Sequence, residues 1–170
     1  MKKLYLDCDG VILDTITKSY SILNERGIFS DEERRNFYRE VDWDVLINVS
    51  GEIDNAISKI KILKDYFDIK ILTHVNSEKE AISKIKYFSS VLPEIEVIIV
   101  PKQIEKANMI NPTGNILVDD YSPNLAMWEE KGGISVKFSN SGRKYDFITI
   151  KDLLELIDIN FEEKSKVKTK

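Results

Sequence analysis

The sequence predicts an α/β protein, a doubly wound and mostly parallel sheet that carries a small helical insert. Three observations predict it. Short apolar runs rich in β-branched residues alternate with amphipathic helical patterns, and one stretch near the N-terminus interrupts that alternation with helical periodicity alone. Two of the apolar runs also end in paired aspartates, at the end of a strand where open α/β sheets hold their ligands.

The elements follow in order. Leu4 to Leu6 is apolar throughout, as a strand covered on both faces should be. From Thr15 to about Ser50 no strand-like run occurs. Ile16, Tyr20 and Leu23 keep a helical spacing that stops near Gly27, and Ser30 with Glu33 then opens a charged helix in capping-box spacing. Ile53, Ile57, Ile60 and Leu63 share one helical face, which leads to a strand at Ile69 to Leu72. Ser77 and Glu80 repeat the capping-box spacing ahead of a helix with Ile82, Ile85, Phe88 and Leu92 on one face. A strand at Val97 to Val100 ends at Pro101, and another spans Ile116 to Val118. Ser122 and Pro123 start a helix that stops at Gly132 and Gly133, before a last strand at Ile134 to Phe138. The expected organisation is a core of residues 1–14 and 51–160, an insert at 15–50, and a solvated lysine-rich tail at 161–170.

Composition sets the outer limits. A chain of 170 residues, 42% hydrophobic and 32% charged, has enough apolar surface for one core and is not a disordered or collagen-like sequence. Its single cysteine, Cys8, excludes an intrachain disulfide, and no apolar run approaches the ~18 residues of a membrane span. A cytoplasmic location follows as the expectation. The 25 basic and 29 acidic side chains leave a net charge of −4, which argues against a dedicated nucleic-acid binder and a stable nucleic-acid complex.

The chemistry concentrates at the strand ends. Asp7 and Asp9 in Asp7-Cys8-Asp9-Gly10-Val11 are two apart after the first strand, so on extended backbone they share a face. Two unit charges ~4 Å apart repel by about 4 kcal/mol at an effective dielectric near 20, which favours a cation between them or a proton on one. Gly10 permits the sharp turn beyond them. Asp119 and Asp120 close a second strand, and carboxylates converging from two strands offer the all-oxygen environment that suits Mg²⁺. Thr73 ends a third strand beside His74, the single histidine, and a hydroxyl near a helix start suits a phosphate. Lys102 and Lys106 follow the Pro101 strand, where a fixed cation would offset the carboxylates and a bound phosphate. Each residue also has an ordinary reading, as a turn, a cap, a packed core group or a solvated lysine.

Taken together, an Asp-x-Asp-Gly-Val motif, a strand ending in Thr, a Lys before a helix and a strand ending in Asp-Asp resemble the haloacid dehalogenase-like phosphatase superfamily. The resemblance runs from Lys3 to about Phe138. The tract Ile116 to Leu125, continuing to Trp128 and Gly132-Gly133, is also similar to the 5'(3')-deoxyribonucleotidase-like group. It implies a Rossmann-like core with a small helical cap at 15–50, and hydrolysis of a phosphomonoester through an aspartyl-phosphate. By the same resemblance Asp7 is the nucleophile and Asp9 the general acid and base. Asp7, the main-chain carbonyl of Asp9, and Asp119 hold Mg²⁺, with Asp120 and Gly10 in support. Thr73 holds the phosphoryl group, and Lys106, with Lys102 as the alternative, supplies the cation. Tyr20 and Trp43, with Phe37 and Tyr38 near them, are candidates to stack on a nucleobase, and His74 and Lys102 to touch substrate. The implied partner is a small phosphomonoester, a nucleoside monophosphate first, and a homodimer is compatible with it. Sugar phosphates, polynucleotide 3'-ends and a non-enzymatic phosphate- or Mg-binding regulator are the alternatives. A response-regulator receiver shares the aspartates, Thr and Lys, but a second acidic pair after Thr73 and the lysines does not fit it.

Overall fold

The computed structural model describes residues 1–162. In chain order it contains β1 (Lys2–Leu6), α1 (Thr15–Glu25), α2 (Asp31–Glu40), α3 (Trp43–Ser50), α4 (Ala56–Leu63), β2 (Phe67–Val75), α5 (Glu78–Val91) and β3 (Glu96–Pro101). Then come α6 (Lys106–Met109), β4 (Ile116–Asp119), α7 (Ser122–Glu130), β5 (Ile134–Phe138), β6 (Ile148–Ile150) and a 3₁₀ turn at Leu153–Asp158.

The six strands form one parallel sheet in the order β3-β2-β1-β4-β5-β6. Parallel neighbours need long crossovers, and helices supply them on both faces except between β5 and β6, where residues 139–147 connect the strands without one. The chain winds outward from β1 to β2 and β3, then returns to β4 on the other side of β1 and winds outward again. The winding direction therefore reverses between β1 and β4, where a crevice opens at their C-terminal ends.

Strand alternation divides the core in two. Leu4, Leu6, Ile69, Ile71, Ile116 and Val118 face a large cluster completed by α3, α4 and α5 through Trp43, Leu46, Ile47, Ile57, Ile60 and Phe88. Tyr5, Leu72, Val100 and Leu117 face the opposite layer, under Ala107, Leu125 and Trp128 from α6 and α7. The run of three helices α1 to α3 is thus not detached from the core: α3 shares the β1 cluster through Trp43, Leu46 and Ile47.

Several local expectations change. The apolar face read for α5 is wrong at Ile82 and Ile85, which are 58% and 43% exposed, while Glu80, Ser83, Lys84 and Phe88 face inward. The Ser77 cap is only half a box: its side chain accepts from the Glu80 amide, but Glu80 turns to the amide of Asn76 instead. The Ser30–Glu33 box is complete. Ser122 lies inside α7, one residue past its Tyr121 cap, and its hydroxyl accepts from Lys137 at 3.1 Å. Phe161, assigned to the tail by the sequence reading, is buried with its ring edge-on to Phe67 at 6.1 Å. The rest of that tail, residues 163–170, lies outside the described residues.

Candidate active site

Asp7 follows β1 directly, and its amide donates to the Val118 carbonyl at 2.9 Å, which extends the β1–β4 pairing to the carboxylates themselves. Asp119 is the last residue of β4 and fully buried. The chain then turns at Gly10, whose φ of 80° lies where glycine alone is relaxed. Space demands glycine there as well, since a Cβ at position 10 would fall 2.3 Å from Asp120 Oδ2.

Lys106, at the start of α6, sits between the two buried aspartates, with Nζ 2.7 Å from Asp7 Oδ1 and 2.7 Å from Asp119 Oδ2. The Cys8 amide also donates to Asp7 Oδ1, at 2.8 Å. One oxygen of Asp7 is therefore held by two donors, which leaves Oδ2 as the atom open to reaction. Burial, then the charge of Asp119, pushes the Asp7 carboxyl up to about 8 against the pull of Lys106. Burial and Asp119 likewise raise Asp120 to about 6. Asn124 on α7 donates to Asp119 Oδ2 at 2.9 Å, and the Tyr121 amide donates to Asp119 Oδ1 at 2.8 Å.

Asp9 has different neighbours. Its Oδ1 accepts from the Thr15 hydroxyl at 2.6 Å and its Oδ2 from Lys84 Nζ at 2.6 Å. Burial alone would raise the Asp9 carboxyl, but the charge and hydrogen bond of Lys84 outweigh it and hold the group below its ordinary value. Lys84 has no exposed surface. It also reaches Glu80 Oε1 at 2.7 Å, Thr73 Oγ1 at 3.0 Å and the His74 carbonyl at 3.0 Å. Burial pulls its ammonium down, but the carboxylates more than reverse that and keep it charged.

Lys84 is the principal residue that sequence reasoning missed. Ile82 and Ile85 beside it suggested an apolar inner face, and Lys84 was not singled out. The signal that could have found it is Glu80 four residues earlier, an i,i+4 pair on the helix after the Thr73 strand. Asn124 was missed too; it lies in the Ser122–Leu125 tract without being a charged group.

A cavity of about 470 Å³ opens above these groups. Asp7, Asp9, Asp120, His74, Asn76, Lys102 and Asn124 line it from the sheet side, and Tyr20, Arg34, Arg35, Tyr38 and Trp43 from the α1–α3 side. Thr73 and Lys106 are buried beneath that lining. Thr73 lies inside β2, which runs on to Val75, and its hydroxyl donates to the His74 carbonyl over 3.3 Å. His74 Nε2 donates to the Ile104 carbonyl at 2.8 Å, tying β2 to the loop that delivers Lys106, and burial lowers its pKa. Trp43 is held by an indole N–H bond to the Tyr38 carbonyl at 3.0 Å, and its ring stacks at 27° on that of Tyr38. Phe37 is buried and does not line the cavity.

Asp7, Asp119 and Asp120 each place a carboxylate oxygen within 4.8 Å of the others, a hard-oxygen set that suits Mg²⁺. The Asp7 and Asp120 carboxyls, raised by burial first and by the charge of Asp119 next, agree with that fit, since a cation among them would offset that charge. The Asp9 side chain is not in this set, as it is directed to Lys84 and Thr15.

No family model matches the chain, and no curated protein matches it in sequence. Its structure does have counterparts. HAD-hydrolase YfnB from Bacillus subtilis, bound to magnesium, aligns over 92% of this chain and 97% of its own, with a TM-score of 0.63 and 14% identity. A HAD phosphatase from Thermococcus onnurineus aligns over 93% and 97%, with a TM-score of 0.58 and 17% identity. D,D-heptose 1,7-bisphosphate phosphatase from B. bronchiseptica, complexed with magnesium and phosphate, aligns over 96% and 99%, with a TM-score of 0.54 and 12% identity. The fold is therefore that of the haloacid dehalogenase-type hydrolases. Among the described residues, no helix is long and apolar enough to cross a membrane.

Proposed function

We propose that the protein is a Mg²⁺-dependent phosphomonoester hydrolase that works through an aspartyl-phosphate on Asp7, with nucleoside monophosphates as its substrates. The observation that carries this reading is the state of Asp7: buried at the cavity floor, one oxygen fixed by Lys106 and the Cys8 amide, the other open. A nucleophile so held meets phosphorus in one orientation.

Asp7, Asp119 and Asp120, with the main-chain carbonyl of Asp9, would hold the ion, whose charge would offset that of the carboxylates and the phosphoryl oxygens. Asp7 Oδ2 attacks phosphorus and the bond to the leaving oxygen breaks as Asp9 gives that oxygen a proton. Water then attacks the aspartyl-phosphate, Asp9 takes a proton from it, and inorganic phosphate leaves with Asp7 restored. Lys84 keeps Asp9 ionised, the state needed in the second step. An incoming dianionic phosphate raises that carboxyl's proton affinity and loads it for the first. Thr73 would contact the phosphoryl group by exchanging its long bond to the His74 carbonyl. The α1–α3 helices would act as a cap that excludes water, with Tyr20, Tyr38 and Trp43 offering flat faces to a base.

The test is phosphate release from a panel of nucleoside 5'- and 3'-monophosphates and sugar phosphates, with Mg²⁺ or EDTA. Release that is concentrated on nucleotides, needs Mg²⁺ and falls to background in Asp7→Asn is the expected outcome. A preference for sugar esters overturns the substrate class; no turnover of any ester by folded protein overturns the reaction.

A further inference from the structure

The inner part of the cavity is so built that both its buried lysines are paired with carboxylates. Lys106 lies between Asp7 and Asp119, and Lys84 between Asp9 and Glu80. The outer part is not. Arg34 and Arg35 from α2 and Lys102 beyond β3 line the same cavity, and among the described residues none of the three forms an ion pair. Asp31, also on that wall, is the one acidic group α2 contributes to it.

Arg34 carries the clearest mark of an unmet partner. Its Nε is buried and has no hydrogen-bond acceptor among the described residues, and no other buried side-chain nitrogen or oxygen there is left so. Its guanidinium lies over the Tyr20 ring, 5.9 Å from the centroid, and Tyr20 lines the same cavity. A buried guanidinium N–H without an acceptor is costly, and a planar fork of donors matches the oxygens of phosphate or carboxylate. The phosphoryl group of the proposed reaction belongs with Asp7 on the sheet side of the cavity, whereas Arg34 stands on the α1–α3 side. A group of such a substrate that accepts from Arg34 lies on its leaving-group side.

We infer that the substrate carries a second anionic group, a phosphate or carboxylate on its leaving-group side, which Arg34 binds with Arg35 and Lys102 in support. With the aromatic wall beside it, a nucleoside bisphosphate meets both requirements. This inference rests on the phosphatase reading and, within the phosphomonoesters, moves the preferred substrate from a nucleoside monophosphate to a doubly anionic ester.

Paired substrates test it. Phosphate release with Mg²⁺ is measured for deoxyadenosine 3'-monophosphate and 5'-monophosphate against the 3',5'-bisphosphate, and for glycerol phosphate against phosphoglycerate, which separates a phosphate from a carboxylate partner. One charge-assisted bidentate contact predicts a kcat/KM ratio of about tenfold or more for the doubly anionic member of a pair. The ratio should fall toward one in Arg34→Met, recover in part in Arg34→Lys, and stay at its wild-type value in Arg39→Met, an arginine of the same helix outside the cavity. Equal kcat/KM values within both pairs for the wild type overturn the inference and leave the phosphatase reading intact. If folded wild-type protein releases phosphate from no ester, the phosphatase reading fails and binding decides the inference. Calorimetric titration with the same pairs must then show tighter binding of the doubly anionic member, lost in Arg34→Met, and equal affinities overturn it.

Discussion

Lys84 is the residue on which the charge balance of the site turns. It has no exposed surface and holds Asp9, Glu80 and Thr73 at once. Removing one partner of a buried ionic group leaves the others uncompensated, so Lys84→Met should cost about 3–5 kcal/mol in urea unfolding. Adding Glu80→Gln to it should return part of that loss, a coupling that a double-mutant cycle measures. Gly10 controls the position of Asp120. An alanine there forces Asp120 away, so Gly10→Ala should weaken Mg²⁺ binding by about 10–100-fold in a calorimetric titration, as for other changes that displace a metal-orienting group. These two positions also mark what a sequence discloses. Asp7 and Asp119 were legible because an acid at the end of an apolar strand has few other reasons to be there, and Gly10 because it follows the Asp7-Cys8-Asp9 run where the chain must turn. Lys84 was not, because a lysine on a helix is solvated unless the helix is turned inward, and the turn is decided by tertiary packing. Arg34 was not legible for the same reason.

At the level of elements, five of the six strands could be read from their apolar runs, because strands covered on both faces leave no polar alternation to confuse them. β6 could not: three residues at the sheet edge, Ile148–Ile150, are too few to show a period. α2 has a mean composition so polar that only its cap announced it, and that cap is now a handle on the cavity wall. Ser30→Ala removes the side chain that accepts from the Glu33 amide, which should cost about 1 kcal/mol and speed hydrogen exchange in α2 ahead of the sheet. The α7–β5 junction offers the opposite case. A Cβ at Gly133 would lie 2.2 Å from Trp128, a buried ring held by its indole N–H to the Asn115 carbonyl, so Gly133→Ala should destabilise the fold by about 1–3 kcal/mol without changing Mg²⁺ affinity.

For the molecule as a whole, the three clustered carboxylates are a liability when no cation lies among them. Binding to the folded state alone stabilises it by about 2.7 kcal/mol at a hundredfold excess over Kd, which for a domain of this size raises Tm by several degrees. Mg²⁺ should therefore raise Tm in wild type, measured by scanning calorimetry against EDTA, and the rise should be largely lost in Asp119→Asn. The strand order has a further consequence, for biosynthesis. β1 is made before the other five strands of the sheet, yet it lies at the centre, between β2 and β4. One of its edges stays open until residues 116–119 emerge from the ribosome, so the acidic tip at Asp7 and the apolar strand behind it wait through the synthesis of β2 and β3 for the neighbour that completes them. Nascent chains stalled before β4 should be sticky and protease-sensitive, and those stalled well beyond it protected.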